Sequence, residues 1–367
     1  MSDKDWVRAR SGSSQQQGCT LMQGEETMSK TERQGASRNI HHHVKAKILV
    51  AAGIAASFLI ATPNRAGAQK YPDYPVRVVV PFAAGGVADI TVRVVTEKLG
   101  DKLGQRFVIE NQPGAGGIAA ARSVKSAAPD GYTLALLSNG TAVSVPLFKS
   151  LPFDPLKDFA PISSLGYFDF FFFANAESQY RTLGDFVKAA REKPGKLNVA
   201  TINIGSTQNL SAELFKSTAG LDFAIVPFRT TPEALISLLR NDIDIVIDSY
   251  AALKSGLSDN KIRALASTGS KRSEYLPDVP TAQEAGVAGY ETTSWNALYA
   301  PVGVPAPVTE LLNRGLGEVL AEPDVKRRLL DLGIEAKASS PAEINARMQA
   351  DIQKWGQVIE RAGIAKQ

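Results

Sequence analysis

The sequence predicts an α/β fold with two lobes, each built on a mostly parallel sheet flanked by helices. Strand-like and helix-like segments alternate from residue 74 onward, which is the order that produces parallel sheets. Glycine-rich turns separate several of the strands from the helices that follow them. About 300 residues of this pattern exceed the size at which one hydrophobic core stops growing, so two lobes are expected.

Residues 1-68 are predicted to be an N-terminal extension and a signal peptide. Lys45 and Lys47 precede an apolar run from Ile48 to Ala61, and Ala66-Gly67-Ala68 supplies small residues for cleavage. This is the pattern of a secretory signal peptide, and the run is shorter than the about 20 residues of a membrane span. We therefore predict cleavage after about Ala68 and export to the periplasm.

Processing changes the charge and the chemistry that the chain offers. The full chain has a formal net charge of +4, but residues 69–367 contain 32 Lys+Arg and 32 Asp+Glu. A neutral chain without a basic run lacks the electrostatic footprint of a nucleic-acid binder. The only cysteine, Cys19, and the three histidines at 41–43 precede the cleavage point. Ser-His-Asp, Cys-His and ordinary zinc chemistry are therefore excluded, and no catalytic residue, metal or cofactor is predicted.

Each predicted element follows from local pattern. The β-branched run Val76–Phe82 predicts a strand, and Gly85-Gly86 predicts a turn into a helix with apolar residues at helical spacing up to Leu103. The aromatic run Phe168–Phe173 is typical of a core strand rather than of an aromatic binding box. The same reasoning predicts further strands at 107–110, 132–137, 168–174, 197–201, 223–226, 243–247 and 262–266, and helices at 118–127, 183–191, from 206 or 207, from 231, from about 307 and from 340.

Ligands bind beyond the carboxyl ends of parallel strands, so two loops at such ends are the main candidates. In Phe82–Asp89, two glycines permit close approach of a ligand, and the first N–H groups of the next helix can bind an anion without a cationic side chain. The alternative is that the glycines only make the turn and Asp89 only complements the helix dipole. Gly205-Ser206-Thr207 precedes another helix and is either a second anion site or a plain N-cap.

Other groups at strand ends are weaker candidates. Asn139-Gly140-Thr141 offers an amide and a hydroxyl, or is an ordinary turn. Arg229 can pair with a carboxylate or remain solvated. The glycine loop at 113–117 has the same two interpretations as the first loop. Asp242, Asp244 and Asp248 share one strand face, but the glycine and glutamate of a calcium loop are missing, so no metal site is predicted.

An ordered series of sequence phrases resembles the Bug-type (TctC-like) extracytoplasmic solute receptors of tripartite tricarboxylate transporters. The phrases lie at Tyr74-Pro75, 78–82, Gly85-Gly86 with Asp89, 110–117, 128–134, Gly205-Ser206, 213–215, 263–266, 276–281, 284–286 and Trp295. The resemblance implies a periplasmic-binding-protein fold of class II (a Venus flytrap). By this analogy lobe 1 comprises 69-170 and 293-367, and lobe 2 comprises 171-292.

The resemblance also implies a function. It is that of a periplasmic receptor that binds a small carboxylate-bearing metabolite between the lobes and delivers it to membrane permease subunits. The implied ligand is a di- or tricarboxylate, an acidic amino acid or an aromatic acid, bound by a monomer without enzymatic activity. The alternatives are a ligand-sensing receptor for a sensor kinase, and a periplasmic enzyme using carboxylate or Ser-Lys chemistry.

The candidate ligand-binding residues combine the loop analysis with this resemblance. They are Phe82, Ala84, Gly85, Gly86, Asp89, Asn139, Thr141, Ser206, Thr207, Arg229, Thr230 and Asp248. Three loop positions depart from the usual family residues: Asn203 replaces a small residue or glycine, Asn209 a histidine and Thr230 a glycine. The identity of the ligand is therefore not carried over from the family.

Overall fold

The computed structural model describes residues 71–367, so the extension and signal peptide predicted at 1-68 lie outside the described residues. Its strands are β1 (Val76–Val80), β2 (Phe107–Asn111), β3 (Thr133–Ser138), β4 (Phe159–Asn175), β5 (Asn198–Ile202), β6 (Ala224–Phe228), β7 (Ile245–Ser249), β8 (Ile262–Ser267), β9 (Thr293–Pro301) and β10 (Glu335–Ala336). Its helices are α1 (Val87–Leu103), α2 (Ile118–Lys125), α3 (Asn139–Leu147), α4 (Leu183–Glu192), α5 (Thr207–Ala219), α6 (Thr231–Leu239), α7 (Tyr250–Ser258), α8 (Ala306–Ala321), α9 (Pro323–Leu330) and α10 (Pro341–Arg361). Within 71–367, no helix is both long and apolar enough to cross a membrane.

Two sheets are joined by the long strand β4. In the first sheet β2, β1 and β3 are parallel, and β9 pairs antiparallel with β3 and with β4 from Phe159 to Asp169. In the second sheet β7, β5 and β6 are parallel, while β4 from Phe170 onward pairs antiparallel with β7 and β8. The chain thus passes from the first sheet to the second within β4. The α/β fold is confirmed, and its sheets are mixed: among residues 71–367, four pairings between the strands are parallel and five are antiparallel.

Both sheets are buried on both faces. Alternation along β1 sends Val78 and Val80 to one cluster of the first sheet and Val79 to the other. The aromatic run behaves in the same way in the second sheet, where Phe172 packs with Phe215 and Phe171 lies in the opposite cluster. This two-sided burial explains why the strands read as continuous apolar runs rather than alternating ones.

The structure differs from the sequence expectations where packing overrides local preference. Asn139 begins α3 directly after β3 instead of forming a turn, although this helix contains β-branched residues and Pro146. Its packing against α10 accounts for its formation. The N-cap of α6 is Thr230, one residue before the expected N-cap Thr231. The reason is that the capping-box partner Glu233 lies three residues after Thr230.

A half-buried carboxyl group lies where β4 leaves the first sheet. Burial raises the pKa of Asp169 to about 6, although Thr293 Oγ1 donates a hydrogen bond to Asp169 Oδ1 at 2.7 Å. The carboxylates of Glu291 and Glu335 also raise this pKa, whereas Lys271 lowers it. The folded protein therefore binds this proton more tightly than the unfolded chain does.

The stability of the protein should fall as the pH rises through the titration of Asp169. Its contribution is complete below the ordinary pKa of 3.8 and is lost as the pH approaches 6. Asp169→Asn should remove this loss, which corresponds to at most about 3 kcal/mol in the free energy of unfolding. Urea unfolding between about pH 4 and pH 7 measures it. The exposed Asp278→Asn is the control, and equal pH profiles for both variants would contradict the assignment.

Candidate ligand-binding site

A cavity of about 400 Å³ lies between the two sheets, at the carboxyl ends of their parallel strands. We call it the anion cavity. The first turns or N-caps of five helices in the described chain line it: α1 at Gly86, α3 at Ser138 and Gly140, α5 at Ser206, α6 at Thr231 and α7 at Ser249. Phe168 and Phe170 of β4, and Ser294 and Asn296 of β9, complete the wall. The cavity is thus built where the chain also crosses between the sheets.

The electrostatics of the anion cavity come from backbone groups. Among its lining residues in 71–367, Asp248 carries the one charged side chain, and none is Lys or Arg. The first N–H groups of each helix have no intrahelical partner and carry the positive end of the helix dipole. Several such ends directed at one cavity favour a bound negative charge.

Asp89 stabilises the first candidate loop but is not itself part of the cavity lining. Asp89 is 2% exposed, and its carboxylate accepts from the Gly85 N–H, from Arg93 Nε and from Asn111 Nδ2, each at 2.9 Å. Burial raises its pKa, but these hydrogen bonds outweigh burial and lower the pKa to about 2. Gly86 and Phe82 line the cavity, while the nearby Ala84 and Gly85 lie outside its lining.

The second candidate loop repeats this arrangement. Gly205 has φ +78°, as Gly85 has φ +83°, and the Gly205 N–H donates to Asn209 Oδ1 at 3.0 Å, four residues further on. Ser206 then caps α5 by accepting from the Asn209 N–H. Asn209 in this chain therefore does for α5 what Asp89 does for α1, and the helix N–H groups that follow are left facing the cavity.

Asn139 is buried and supports the site through a neighbour. Its Oδ1 accepts from Trp355 Nε1 at 2.8 Å, and its Nδ2 donates to Thr207 Oγ1 at 3.2 Å. Because Thr207 accepts this bond, its hydroxyl hydrogen can be donated to a ligand. The pair joins α3, next to the first sheet, to α5, next to the second.

Three other predicted residues are placed away from direct contact with the anion cavity. Thr141 forms the capping box of α3 with Ser138 and lines a neighbouring cavity instead. Thr230 is exposed and caps α6. Arg229 is exposed and lies outside the lining. The strand that precedes it, β6, is the edge strand of the second sheet.

Asp248 lies at the end of β7 and faces the anion cavity. Its Oδ1 accepts from the Ser249 N–H at 2.7 Å and from Gln208 Nε2 at 3.1 Å, and its Oδ2 accepts from Thr231 Oγ1 at 2.6 Å. Burial raises the pKa of Asp248 and outweighs these hydrogen bonds, which lower it. The Asp248 oxygens therefore already accept the hydrogen bonds offered at the N-termini of α6 and α7.

Sequence reasoning missed several lining side chains. Gln208 and Thr231 lie one residue beyond the candidates Thr207 and Thr230, and only the helix phase decides which neighbour faces inward. Ser294 and Asn296 flank the buried Trp295 on β9. Alternation along a strand would have placed them opposite Trp295, but not toward a ligand.

Comparison with known proteins agrees with this architecture. Residues 91–364 match the model of the tripartite tricarboxylate transporter family receptor, TctC. BugT of Bordetella pertussis is 31% identical over 306 residues, covering 83% of this chain and 93% of that protein.

Two solved structures with bound acids are also similar. An R. palustris protein with adipate is 33% identical, with a TM-score of 0.72 over 80% of this chain and 99% of that one. MatC from Rhodopseudomonas palustris with bound malate is 35% identical, with a TM-score of 0.68 over 79% and 100%. The chain therefore belongs to the tripartite tricarboxylate transporter receptor family, with the Bug proteins, and has the fold of its periplasmic solute-binding members.

Proposed function

We propose that this protein binds a small carboxylate in the anion cavity and delivers it to membrane permease subunits. The observation that carries the proposal is the meeting of helix N-termini in a cavity whose described lining contains no cationic side chain. The similar structures with adipate and malate hold carboxylates, which supports the same ligand class here. In this proposal residues 69-170 and 293-367 form one lobe, and 171-292 form the other.

The position of Asp248 indicates where the ligand carboxylate lies. Its carboxyl oxygens already accept hydrogen bonds from the Ser249 N–H and the Thr231 hydroxyl, at the N-termini of α7 and α6. The ligand carboxylate is therefore more favourably placed near α1, α3 and α5, at Gly86, Gly140 and Thr207. Asp248 can in turn accept a hydrogen bond from a hydroxyl or ammonium group of the ligand.

We also propose where and in what form the protein acts. The protein acts in the periplasm after export and cleavage near Ala68, as a monomer, and performs no covalent chemistry. The absence of His and Cys after residue 68 fits a role in binding rather than in nucleophilic catalysis. Capture requires only that the closed form makes better contacts with the ligand than the open form does.

A thermal-shift screen of mono-, di- and tricarboxylates, aromatic acids and acidic amino acids tests ligand class, with Gly86→Val as the diagnostic variant. A ligand at 100 times its Kd adds about 2.7 kcal/mol, a rise in Tm of about 5 °C. Gly86 has φ −80° and ψ 169°, which valine adopts readily, so the variant should fold.

The valine side chain should nevertheless occupy the cavity wall and abolish the ligand shift. Gly317→Val is the control, because a Cβ there meets nothing within 4 Å, on α8. An unchanged shift in Gly86→Val would refute the placement of the ligand. If neutral or cationic solutes raise the Tm and acids do not, the proposed ligand class is wrong.

Gly205→Ala tests whether closure depends on contact between the two sides of the cavity. A Cβ at Gly205 would clash with Leu147 Cδ2 at the end of α3, so either the Leu147 side chain or the α5 loop must shift. We expect affinity for the acid found in the screen to fall about tenfold, or 1.4 kcal/mol.

Gly220→Ala is the matched control for this variant. Gly220 also has positive φ, +59°, but a Cβ there meets nothing within 4 Å. It carries the same backbone cost without the contact. Calorimetric titration measures the affinity of both variants for the acid. Equal affinities of the two variants would contradict a role for this contact in closure.

A further inference from the structure

A second cavity of about 450 Å³ adjoins the anion cavity. We call it the side cavity. The two share Phe82, Gly140, Asn203, Gly205 and Ser206 in their walls, so they are direct neighbours. Within the described chain, the lining of the side cavity contains no Asp, Glu, Lys or Arg side chain. An apolar group is the chemistry that such a wall accepts.

Two apolar side chains are exposed on facing loops of the side cavity. Phe82, on the β1–α1 loop, is 38% exposed, and Ile204, on the β5–α5 loop, is 59% exposed. A single exposed apolar side chain is ordinary in a soluble protein. Here two of them, from different sheets, border the same cavity next to the proposed carboxylate site. A ligand that covers both would bury surface that the protein alone leaves in water.

Backbone conformation shapes both sides of the side cavity. Asn203 and Gly205 have φ +35° and +78°, so Ile204 is presented between two residues with positive φ. On the opposite side Gly116 has φ +61°, and a Cβ there would lie 2.8 Å from the Phe148 ring. Gly116 therefore lies against the Phe148 ring with no side chain between them.

We infer that the ligand is a carboxylate with an apolar tail, whose charged group lies in the anion cavity and whose tail lies in the side cavity between Phe82 and Ile204. This inference rests on the proposed function and narrows it. The described lining of the side cavity contains no Lys or Arg side chain that would balance a second carboxylate, so the one charged group of the ligand is placed in the anion cavity. An acid with one charged end and one apolar end satisfies both cavities.

Calorimetry with a matched pair of acids tests the inference. Propionate and 3-phenylpropionate carry the same carboxylate and differ by one ring, and succinate is a short diacid for comparison. We expect 3-phenylpropionate to bind at least tenfold more tightly than propionate. Ile204→Ser should weaken 3-phenylpropionate binding about tenfold, or 1.4 kcal/mol, and leave binding of the short acids unchanged.

The control is Ile236→Ser, the same substitution at a residue that is 50% exposed on α6 and outside both cavity walls. Both variants should keep the parent Tm, since both side chains are exposed. If short acids bind but the ring adds no affinity, or if the two variants behave alike, the inference is overturned and the proposed function stands. If none of the three acids binds and other carboxylates also fail, both are overturned.

Discussion

The electrostatic environment at the ends of the parallel strands is the constraint on which this site depends. Each of β1, β3, β5, β6 and β7 is followed by a helix whose N-terminus reaches one cavity. These termini place unpaired N–H groups and partial positive charge there, and in the described lining no cationic side chain competes with a ligand for that role. An anion can therefore be bound by the backbone itself, with geometry fixed by the sheets.

The two main loops are stabilised by the same kind of hydrogen bond, made by different residues in each loop. In each, a glycine with positive φ donates its N–H to a side chain four residues later, Asp89 in the first loop and Asn209 in the second. A hydrogen-bond acceptor at that position is what this geometry requires, and asparagine supplies one without a charge. Replacing the usual family histidine by Asn209 thus preserves the loop, so this departure concerns support of the site more than direct contact with a ligand.

The fold and the main loops could be predicted because their signals are local. Strand and helix periodicity, glycine turns and the rule that ligands bind at strand ends are enough to place Phe82, Gly86, Ser206 and Thr207 together. The roles of single side chains could not be predicted, since they depend on distant partners. The side chain of Asn139 accepts a hydrogen bond from Trp355, more than two hundred residues later, and donates one to Thr207, at the start of α5. Arg229, which follows directly after the edge strand β6, is exposed to solvent, and the position of β6 in the sheet cannot be read from its own sequence.

The central claim is that the backbone of the helix N-termini recognises a full negative charge. It is tested most directly by measuring, for each acid that binds, the affinity of its own primary amide, which has nearly the same shape and no charge. We expect the amide to bind at least about 100-fold more weakly than the acid, a difference of about 2.7 kcal/mol in binding free energy. Equal affinities of acid and amide would contradict recognition of charge by these helices.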